Sequence, residues 1–502
     1  MNSPSAACSG GTHAAEFLIG EAVAGGVSLW VEGRSLRYGA PGGCLSEPLR
    51  RGLDEHKATL IDLLRGPSLT SRGPMREAPF LVFYHGLWEK IRSGRLGVGF
   101  TNLHAGTDVN GAEIELSLVE HCVRLVVERH AILRARVSDE SGVPRFIFDG
   151  PAAPVEFVDC TALPPAAVAE RAREALDDIR LRPFRGEDAL FRPFCIRLAR
   201  DRHYVGFILH HLIGDRTSAG IILNELLMAP QTPTPLQYLD YALAMNEWLA
   251  SPALRMRMLY WTANLRGAAP CRLPPDRVVD PQEWCEVRQI DFFLGVSRTK
   301  GIYSLARKLS ATPACIMQAV HARALGIRAR QHDVILLSMY HGRDHARTWE
   351  IVGSFQNQLA LRTCSHEHEP FDSLVERCQQ AYLAALRNVV PYHYVRGVLP
   401  ALGIAECFPE FNCAISGELE AESPAGPAQG SGNGDWRSGP AQAPVVRSRV
   451  ADFPNHKVSL WTAGNNVGVS VHYLPAEHDE ASIQSFIACF CGVIDAVTRS
   501  LK

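Results

Sequence analysis

The sequence lacks the features that mark several large classes of protein. Its 51 basic and 53 acidic residues leave a formal net charge of −2, without a strong field of one sign for nucleic acid or an acidic membrane. The 14 cysteines include no CxxC pair and no Cys/His cluster at zinc spacing. A signal peptide and an apolar run of about eighteen residues are also missing. We therefore expect a reduced cytoplasmic protein without a metal site, whose cysteines are mostly small buried hydrophobes.

The sequence contains enough apolar residues to form several hydrophobic cores. The chain has 502 residues, of which 46% are hydrophobic, and this length suits about two to four folding units. Residues 1–13 are small and polar, and we predict that they form a disordered tail.

The next residues predict a small helix–hairpin–helix unit. An amphipathic segment stops at a Gly-Gly pair, and VSLWVEGRSLRYGAP then alternates as a hairpin does, with Gly33 and Arg34 able to turn. A second helix is predicted from Ser46, a suitable N-cap with proline in the first turn after it. The unit covers 14–65, and the stretch 66–77, rich in Pro, Gly and Ser, predicts a linker.

Helix-like and strand-like segments alternate through the rest of the chain. HYVGFILHH and DVILLSMYHG predict strands, GDRTSAGIILNELLMA predicts a helix, and VSLWTAGNNVGVSVHYL predicts a hairpin. This mixed order is typical of an α/β (α+β) fold, here with two lobes. Residues 418–444 are poor in apolar side chains and rich in Gly, Pro, Ala and Ser, and we predict a flexible loop there.

One motif stands at the end of a predicted buried strand: His210 and His211, followed four residues after the second histidine by Asp215. Neighbouring residues on a strand face opposite ways, so one imidazole can enter a cleft while the other faces the scaffold. A neutral imidazole can accept a proton from an attacking amine or hydroxyl. From spacing alone, two scaffold histidines are an equally good interpretation.

HHLIGD resembles the HHxxxDG signature of nonribosomal peptide synthetase condensation domains, and further motifs occur in the order of that family. They are ERHAILRARV (128–137), PLQYLDYALAMNEWL (235–249), YWTANLRGAAPCRLPPDR (260–277), VGSFQNQLALR (352–362) and a worn copy of a later element, RNVVPY (387–392). The resemblance implies two chloramphenicol-acetyltransferase-like lobes arranged in a V. We expect the N-lobe at 78–255 and the C-lobe at 256–502.

The resemblance also implies roles for single residues. His211 would be the active-site imidazole, with His210 structural. Asp215 would keep the turn by pairing with Arg343 of the second lobe, and Asn357 would lie beside the substrate tunnel. Among residues near the acceptor, the family pattern keeps Ser218.

The sequence departs from the family pattern directly after the aspartate. The usual glycine is Arg216 and the usual tryptophan is Thr217. Arginine fills space and adds a fixed charge where glycine allows close backbone approach. One hypothesis is that Arg216 binds a carboxylate on the acceptor; the alternative is that it turns away onto the helix surface. The opening motif of the family is also eroded, with Trp88 as its remaining match.

The N-terminal unit resembles the β-hairpin docking domains of the tubulysin-synthetase type, whose LWVEGxxLRY hairpin corresponds to LWVEGRSLRY here. Such a unit captures a short disordered tail of a partner chain beside its hairpin. The residues that we expect to take part are Leu29, Val31, Arg34, Arg37, Tyr38 and Arg50. The arginines suit an acidic tail, although an ordinary solvated face has the same composition.

Together these resemblances predict a freestanding condensation enzyme. It would move an acyl chain from the phosphopantetheine thioester of a partner carrier protein to an amine or alcohol, binding no cofactor or metal itself. Adenylation and carrier domains are missing from the sequence, so we expect the enzyme to act in trans. The favoured version is chain release onto a soluble acceptor bearing a carboxylate, as in enacyloxin biosynthesis.

Three alternatives stay open. The acceptor could be an aminoacyl group on a second carrier, as in ordinary elongation. An epimerisation domain shares the HHxxxDG core but needs a second acid/base. A non-catalytic recruiting platform is the third, although such domains typically lose part of the motif that this sequence keeps.

Overall fold

The computed structural model describes most of the chain. The described residues are 6–39, 44–73, 77–80, 88–89, 91–93, 101–111, 113–140, 142–148, 150, 152–184, 188–228, 236–269, 271–405, 408–415 and 447–499. The loop predicted at 418–444 lies outside them.

Helices and strands alternate along the described chain, and we number each kind in chain order. The helices are α1 (Ala6–Ala24), α2 (Glu47–Glu55), α3 (Lys57–Leu64), α4 (Leu116–Arg129), α5 (Pro165–Leu181), α6 (Arg216–Met228), α7 (Tyr238–Leu249), α8 (Pro252–Leu265), α9 (Val296–Lys308), α10 (Pro313–Ala329), α11 (Phe371–Arg387), α12 (Tyr392–Val398) and α13 (Glu480–Arg499). The first nine strands are β1 (Ser28–Glu32), β2 (Ser35–Gly39), β3 (Glu77–Pro79), β4 (Asn102–Asn110), β5 (Arg136–Ser138), β6 (Arg145–Ile147), β7 (Glu156–Asp159), β8 (Phe191–Ala199) and β9 (Arg202–His210). The others are β10 (Trp284–Glu286), β11 (Arg288–Phe293), β12 (Asp333–Tyr340), β13 (Asn357–Cys364), β14 (Glu410–Ala414), β15 (Arg447–Arg449), β16 (Lys457–Ala463) and β17 (Asn466–Tyr473).

The N-terminal unit has the predicted hairpin between helices, with two corrections. Helix α1 begins at Ala6, so the prediction of a disordered tail through residue 13 is wrong for its second half. Ala6 and Ala7 open this segment, and alanine is the strongest helix former, which favours the earlier start. The second predicted helix is divided into α2 and α3 at His56, whose backbone leaves the helical region. Ser46 accepts the N–H of Leu49, as its predicted capping role requires.

The N-terminal unit packs directly on α8. Its buried side chains form one cluster that also includes Met256 of α8. On the hairpin, the Arg387 guanidinium of α11 lies 3.7 Å from the centre of the Trp30 ring. The small unit therefore shares its core and its hairpin surface with the larger lobes.

The linker is also held in place. The Trp248 indole donates to the Arg65 carbonyl at 2.9 Å, and the Arg72 N–H donates to Asp240 at 2.7 Å. Leu69 is buried between these points. The described part of the linker is thus fixed along α7, whereas its composition predicts only that it is a linker.

The N-lobe contains a four-stranded sheet in the order β4-β9-β8-β7. Strand β9 is central, and almost all of its side chains are buried. It pairs with β4 from Arg202 to His210, so the strand ends at the first histidine of the motif. His211 begins the turn that follows.

The C-lobe contains a six-stranded sheet in the order β11-β17-β16-β14-β12-β13. The predicted hairpin is confirmed as β16 and β17. Helices α9, α10 and α13 cover one face of the sheet through a large apolar cluster. Helix α13 is long and apolar enough to cross a membrane, with a mean hydropathy of 1.6, but its apolar side chains are part of this core. Helix α8 continues across the boundary predicted between 255 and 256.

Candidate functional site

The turn between β9 and α6 presents the two histidines differently. His210 is buried, and its Nδ1 accepts the N–H of Leu212 at 3.1 Å. Its ring meets Phe184 edge-on, with centroids 5.7 Å apart. Burial, together with a smaller contribution from the neighbouring His211, lowers the pKa of His210 to about 3. This histidine is a neutral part of the scaffold.

His211 is the histidine that retains some exposure. Its backbone N–H donates to the Thr101 carbonyl at 2.7 Å, which fixes the turn against the chain leading into β4. Burial lowers the pKa of the imidazole, while the charge of Asp215 and a hydrogen bond with the Gly214 backbone oppose this shift. The ring is therefore held in its neutral, proton-accepting form near pH 7.

Asp215 faces the other lobe. Its Oδ1 accepts the Ser218 N–H at 2.7 Å and an Arg343 Nη2 hydrogen at 3.0 Å. Its Oδ2 accepts the Phe355 N–H at 3.1 Å. Both oxygens are thus used by groups that fix the corner between the lobes, and the carboxylate does not relay protons to His211.

Arg343 completes this pair from the C-lobe. Its Nη1 donates to the carbonyls of Thr348 and, at 2.8 Å, Ile351. The guanidinium lies 4.2 Å from the centre of the Phe355 ring. The side chains of Arg343 and Asp215 are 0% and 2% exposed, so the ion pair is removed from water and depends on these hydrogen bonds.

Ser218 belongs to the same junction. Its hydroxyl can donate to Asp215 Oδ1 at 2.8 Å or to the Gly353 carbonyl at 2.7 Å, and it accepts the Gly353 N–H at 3.0 Å. Gly353 has no room for a side chain, because a Cβ there would overlap the Tyr238 ring. Ser218 is fully buried, so we correct its predicted place beside the acceptor: it joins the lobes instead.

Asn357 also makes structural contacts. Its amide donates to the Val390 carbonyl at 2.8 Å, and its Oδ1 accepts the Tyr392 N–H at 2.9 Å. It nevertheless lines a cavity of about 820 Å³ between the N-terminal unit, the linker and both lobes.

Arg216 lies exposed at the start of α6, and its side chain makes no hydrogen bond or ion pair with a described residue.

The predicted docking residues divide into two groups. Leu29 is buried in the core of the N-terminal unit, and Val31 packs against that core. Tyr38 is 50% exposed, and the arginines at positions 34, 37 and 50 are exposed as well. Arg37 already pairs with Glu32 at 2.9 Å. The aliphatic pair therefore supports the hairpin, and the remaining four side chains are accessible to a partner.

Two residues of the site have roles that the sequence did not predict. Phe355 supplies both a backbone donor to Asp215 and a ring under Arg343, and Tyr238 donates to the Ser354 carbonyl at 2.7 Å. Both residues lie in motifs that carried the family resemblance. Their roles depend on contacts between motifs that are far apart in sequence. The one signal in the sequence that could have indicated these roles is that both residues lie within motifs of the family.

We predict that Arg343→Met will strongly destabilise the fold, by about 3–5 kcal/mol, because it leaves the Asp215 carboxylate buried without a partner. Equilibrium urea unfolding measures this. The matched control is Arg200→Met, which breaks the exposed pair with Glu113 and should change little. Similar unfolding curves for the two variants would contradict the importance of the buried pair.

Comparison with known families agrees with this geometry. A family model described as the condensation domain matches residues 109–501, and one described as the TubC N-terminal docking domain matches residues 16–66. The chain is 28% identical over 299 residues to gramicidin S synthase 2 of Aneurinibacillus migulanus. That match covers 58% of this chain and 7% of the synthase, so the chain spans a small part of this relative's length.

Solved structures share the fold. One comes from work on condensation domain-mediated chain release from the enacyloxin polyketide synthase; it is 18% identical, covers 96% of each chain and gives a TM-score of 0.69. The epimerization domain from the third module of tyrocidine synthetase B is 16% identical, covers 86% of this chain and 99% of its own, and gives 0.67. At these identities the likeness shows the fold alone. Because the first family model covers most of the sequence, the chain belongs to the condensation domain family and carries a docking domain of the TubC N-terminal type.

Proposed function

We propose that this protein transfers an acyl chain from a carrier-protein thioester to an alcohol or amine, with His211 as the catalytic imidazole. The observation that carries the proposal is a neutral, partly accessible imidazole at the lobe junction, whose neighbours His210 and Asp215 are both committed to the scaffold. Membership of the condensation domain family supports the same chemistry.

The reaction needs one base and close alignment. The acceptor oxygen or nitrogen attacks the thioester carbonyl and forms the new ester or amide bond. His211 accepts the acceptor's proton or orients its lone pair, and the C–S bond breaks to return the phosphopantetheine thiol after protonation. Holding the two reactants in a confined space can supply several kcal/mol, on the order of 7 or more in favourable cases. The thioester is already activated, so phosphopantetheine on the carrier is the group that the reaction requires.

The carrier protein would arrive in trans through the docking domain. Arg34 and Arg50 are exposed there and make no ion pair with a described residue, so they suit an acidic, disordered tail on the carrier. Capture of such a tail raises the local concentration of the carrier near the lobes. The donor therefore comes from a separate chain that bears the matching tail.

Chain release onto a soluble acceptor with a carboxylate is the version that we favour. It is supported by the likeness, over both docking and condensation regions, to the structure from the enacyloxin chain-release work. Elongation onto a carrier-bound aminoacyl group, epimerisation and non-catalytic recruitment are the competing outcomes. Arg216 remains one candidate for the carboxylate of a soluble acceptor.

The direct test is intact-protein mass spectrometry of a carrier loaded with a simple acyl thioester. We expect the protein to remove the acyl group in the presence of free alcohols, amines or hydroxy acids and to form the matching ester or amide. His211→Ala should slow this transfer by about 10²–10⁴-fold, because it removes the base. The control is His121→Ala, which changes an exposed histidine on α4.

Other outcomes separate the alternatives. Transfer only to a second loaded carrier would establish elongation and exclude chain release. Solvent deuterium at the α-carbon of an aminoacyl group would establish epimerisation. Equal rates for wild type and His211→Ala would contradict the catalytic role of the imidazole and favour a recruiting platform.

We also predict that Arg34→Glu/Arg50→Glu will raise the KM for the carrier severalfold while kcat is unchanged, because exposed charges affect capture and not chemistry. The effect should shrink at high salt. Arg200→Glu/Lys308→Glu makes the same change of charge on exposed residues of the two lobes and is the control. An unchanged KM for the first double variant, or an equal rise for the second, would show that these arginines do not capture the tail.

A further inference from the structure

In the C-lobe sheet, the face opposite the α9, α10 and α13 cluster is apolar along β12 and β13, where Ile335 and Leu337 join a second apolar cluster, and it carries polar side chains along β14, β16 and β17. Val458 and Val471 point into the cluster beneath α9, α10 and α13. Alternation therefore directs their neighbours Lys457 and His472 to the opposite face, where the two are paired across β16 and β17. Glu410 of β14 pairs with Lys457 on the other side. A row of polar side chains thus crosses three adjacent strands.

The Lys457 ammonium has N–H donors that no side chain of this row uses. Its Nζ lies 3.7 Å from Glu410 Oε2, which is an ion-pair distance but longer than a hydrogen bond. The other oxygen of Glu410 accepts the Gln358 amide at 3.0 Å, and this bond holds the carboxylate toward β13. The Lys457 side chain is 29% exposed and makes no hydrogen bond with a described residue. The Glu410 carboxylate therefore balances the charge of the ammonium on one side, and another side of the ammonium is accessible to a ligand.

The same row lies beside the lobe junction that holds His211: Gln358, which binds Glu410, follows Phe355 by three residues, and the Phe355 N–H donates to Asp215. After burial and the effects of Asp215 and the Gly214 backbone, the positive charge of Lys457 is a further influence that lowers the pKa of the His211 imidazole. It also adds to burial in lowering the pKa of His472 to about 4. The hydrogen bonds of Gln358 and Phe355 tie Lys457, through Glu410 and β13, to the same junction as the proposed catalytic base, and the influence of its charge on the imidazole agrees with this position.

A second polar atom on this face also lacks a partner. Asn412 lies two residues after Glu410 on β14 and is paired with Ser459 of β16. Its Oδ1 is buried and accepts no hydrogen bond from the described residues. A buried carbonyl oxygen without a donor is costly, and a ligand hydroxyl or amide N–H would satisfy it.

We propose that Lys457 is the acceptor-carboxylate site, so that this face selects small acceptors carrying an alcohol or amine together with a carboxylate. The proposal rests on the proposed acyl transfer, because the acceptor must reach His211. A carboxylate leaving water needs a cation and hydrogen-bond donors, and the Lys457 ammonium supplies both. Asn412 would accept a hydrogen bond from a further donor on the same ligand. Lys457 replaces Arg216 as the favoured cation because strand pairing fixes its position.

Ligand-observed NMR tests this without any turnover. The probes are 3-hydroxybutyrate and its neutral analogue 3-hydroxybutyramide, titrated into the intact protein. We expect wild type to prefer the carboxylate, and Lys457→Gln to reduce this preference roughly tenfold to a hundredfold, the usual range for a hydrogen-bonded charge. Lys457→Arg should retain much of it. Lys308→Gln, an exposed lysine on α9, is the matched control and should behave as wild type.

Glu410→Gln separates recognition from a structural role. If Lys457 binds the ligand, removing its competing carboxylate should keep or strengthen the preference. The proposal is overturned if Glu410→Gln loses the preference as Lys457→Gln does, if Lys457→Gln keeps it, or if wild type has none. Loss in Arg216→Gln instead would assign the carboxylate to α6. Because binding is measured without a carrier, these outcomes are distinct from a failure of acyl transfer in the mass-spectrometric experiment.

Discussion

A buried ion pair between Asp215 and Arg343 is the interaction on which the site depends. Moving a charge from water into a protein interior costs several kcal/mol. A buried ion pair offsets this cost only when its geometry is good and further hydrogen bonds satisfy both groups. Here Ser218, Phe355 and two carbonyls of the 348–351 segment supply such hydrogen bonds from both lobes, and the Arg343 Nε is left without a hydrogen-bond partner among the described residues. The turn that carries His211 is consequently fixed by the opposite lobe, so the position of the imidazole depends directly on the packing of the lobes.

The docking domain is part of the same rigid arrangement. It shares a hydrophobic cluster with α8, its Trp30 ring lies under Arg387, and the linker is hydrogen-bonded along α7. A carrier tail bound at the hairpin would therefore be held at a fixed distance from the lobes. Such fixation favours a second, weak contact of the carrier itself because that contact becomes intramolecular.

Much of this architecture could be predicted from local patterns and from the family resemblance. The hairpins, the strand that ends at His210 and the pairing of Asp215 with Arg343 were all expected, since each depends on a short motif or on two motifs of known order. The start of α1 at Ala6 was missed because small residues are compatible with both helix and disorder. The burial of Ser218 and the row formed by Glu410, Lys457 and His472 depend on pairing between segments far apart in sequence, which no local pattern reports.

The lobe junction holds His211, the proposed base, as a neutral and partly exposed imidazole. NMR titration of histidines labelled at Cε1, with His211→Ala for assignment, measures this directly. The account predicts a pKa below about 6.5, the ordinary value for histidine. The neutral form, and with it acyl transfer to an alcohol acceptor, would then persist as the pH falls through that value. A His211 pKa at or above the ordinary value would contradict it, because the ring would then be solvated or paired as a cation.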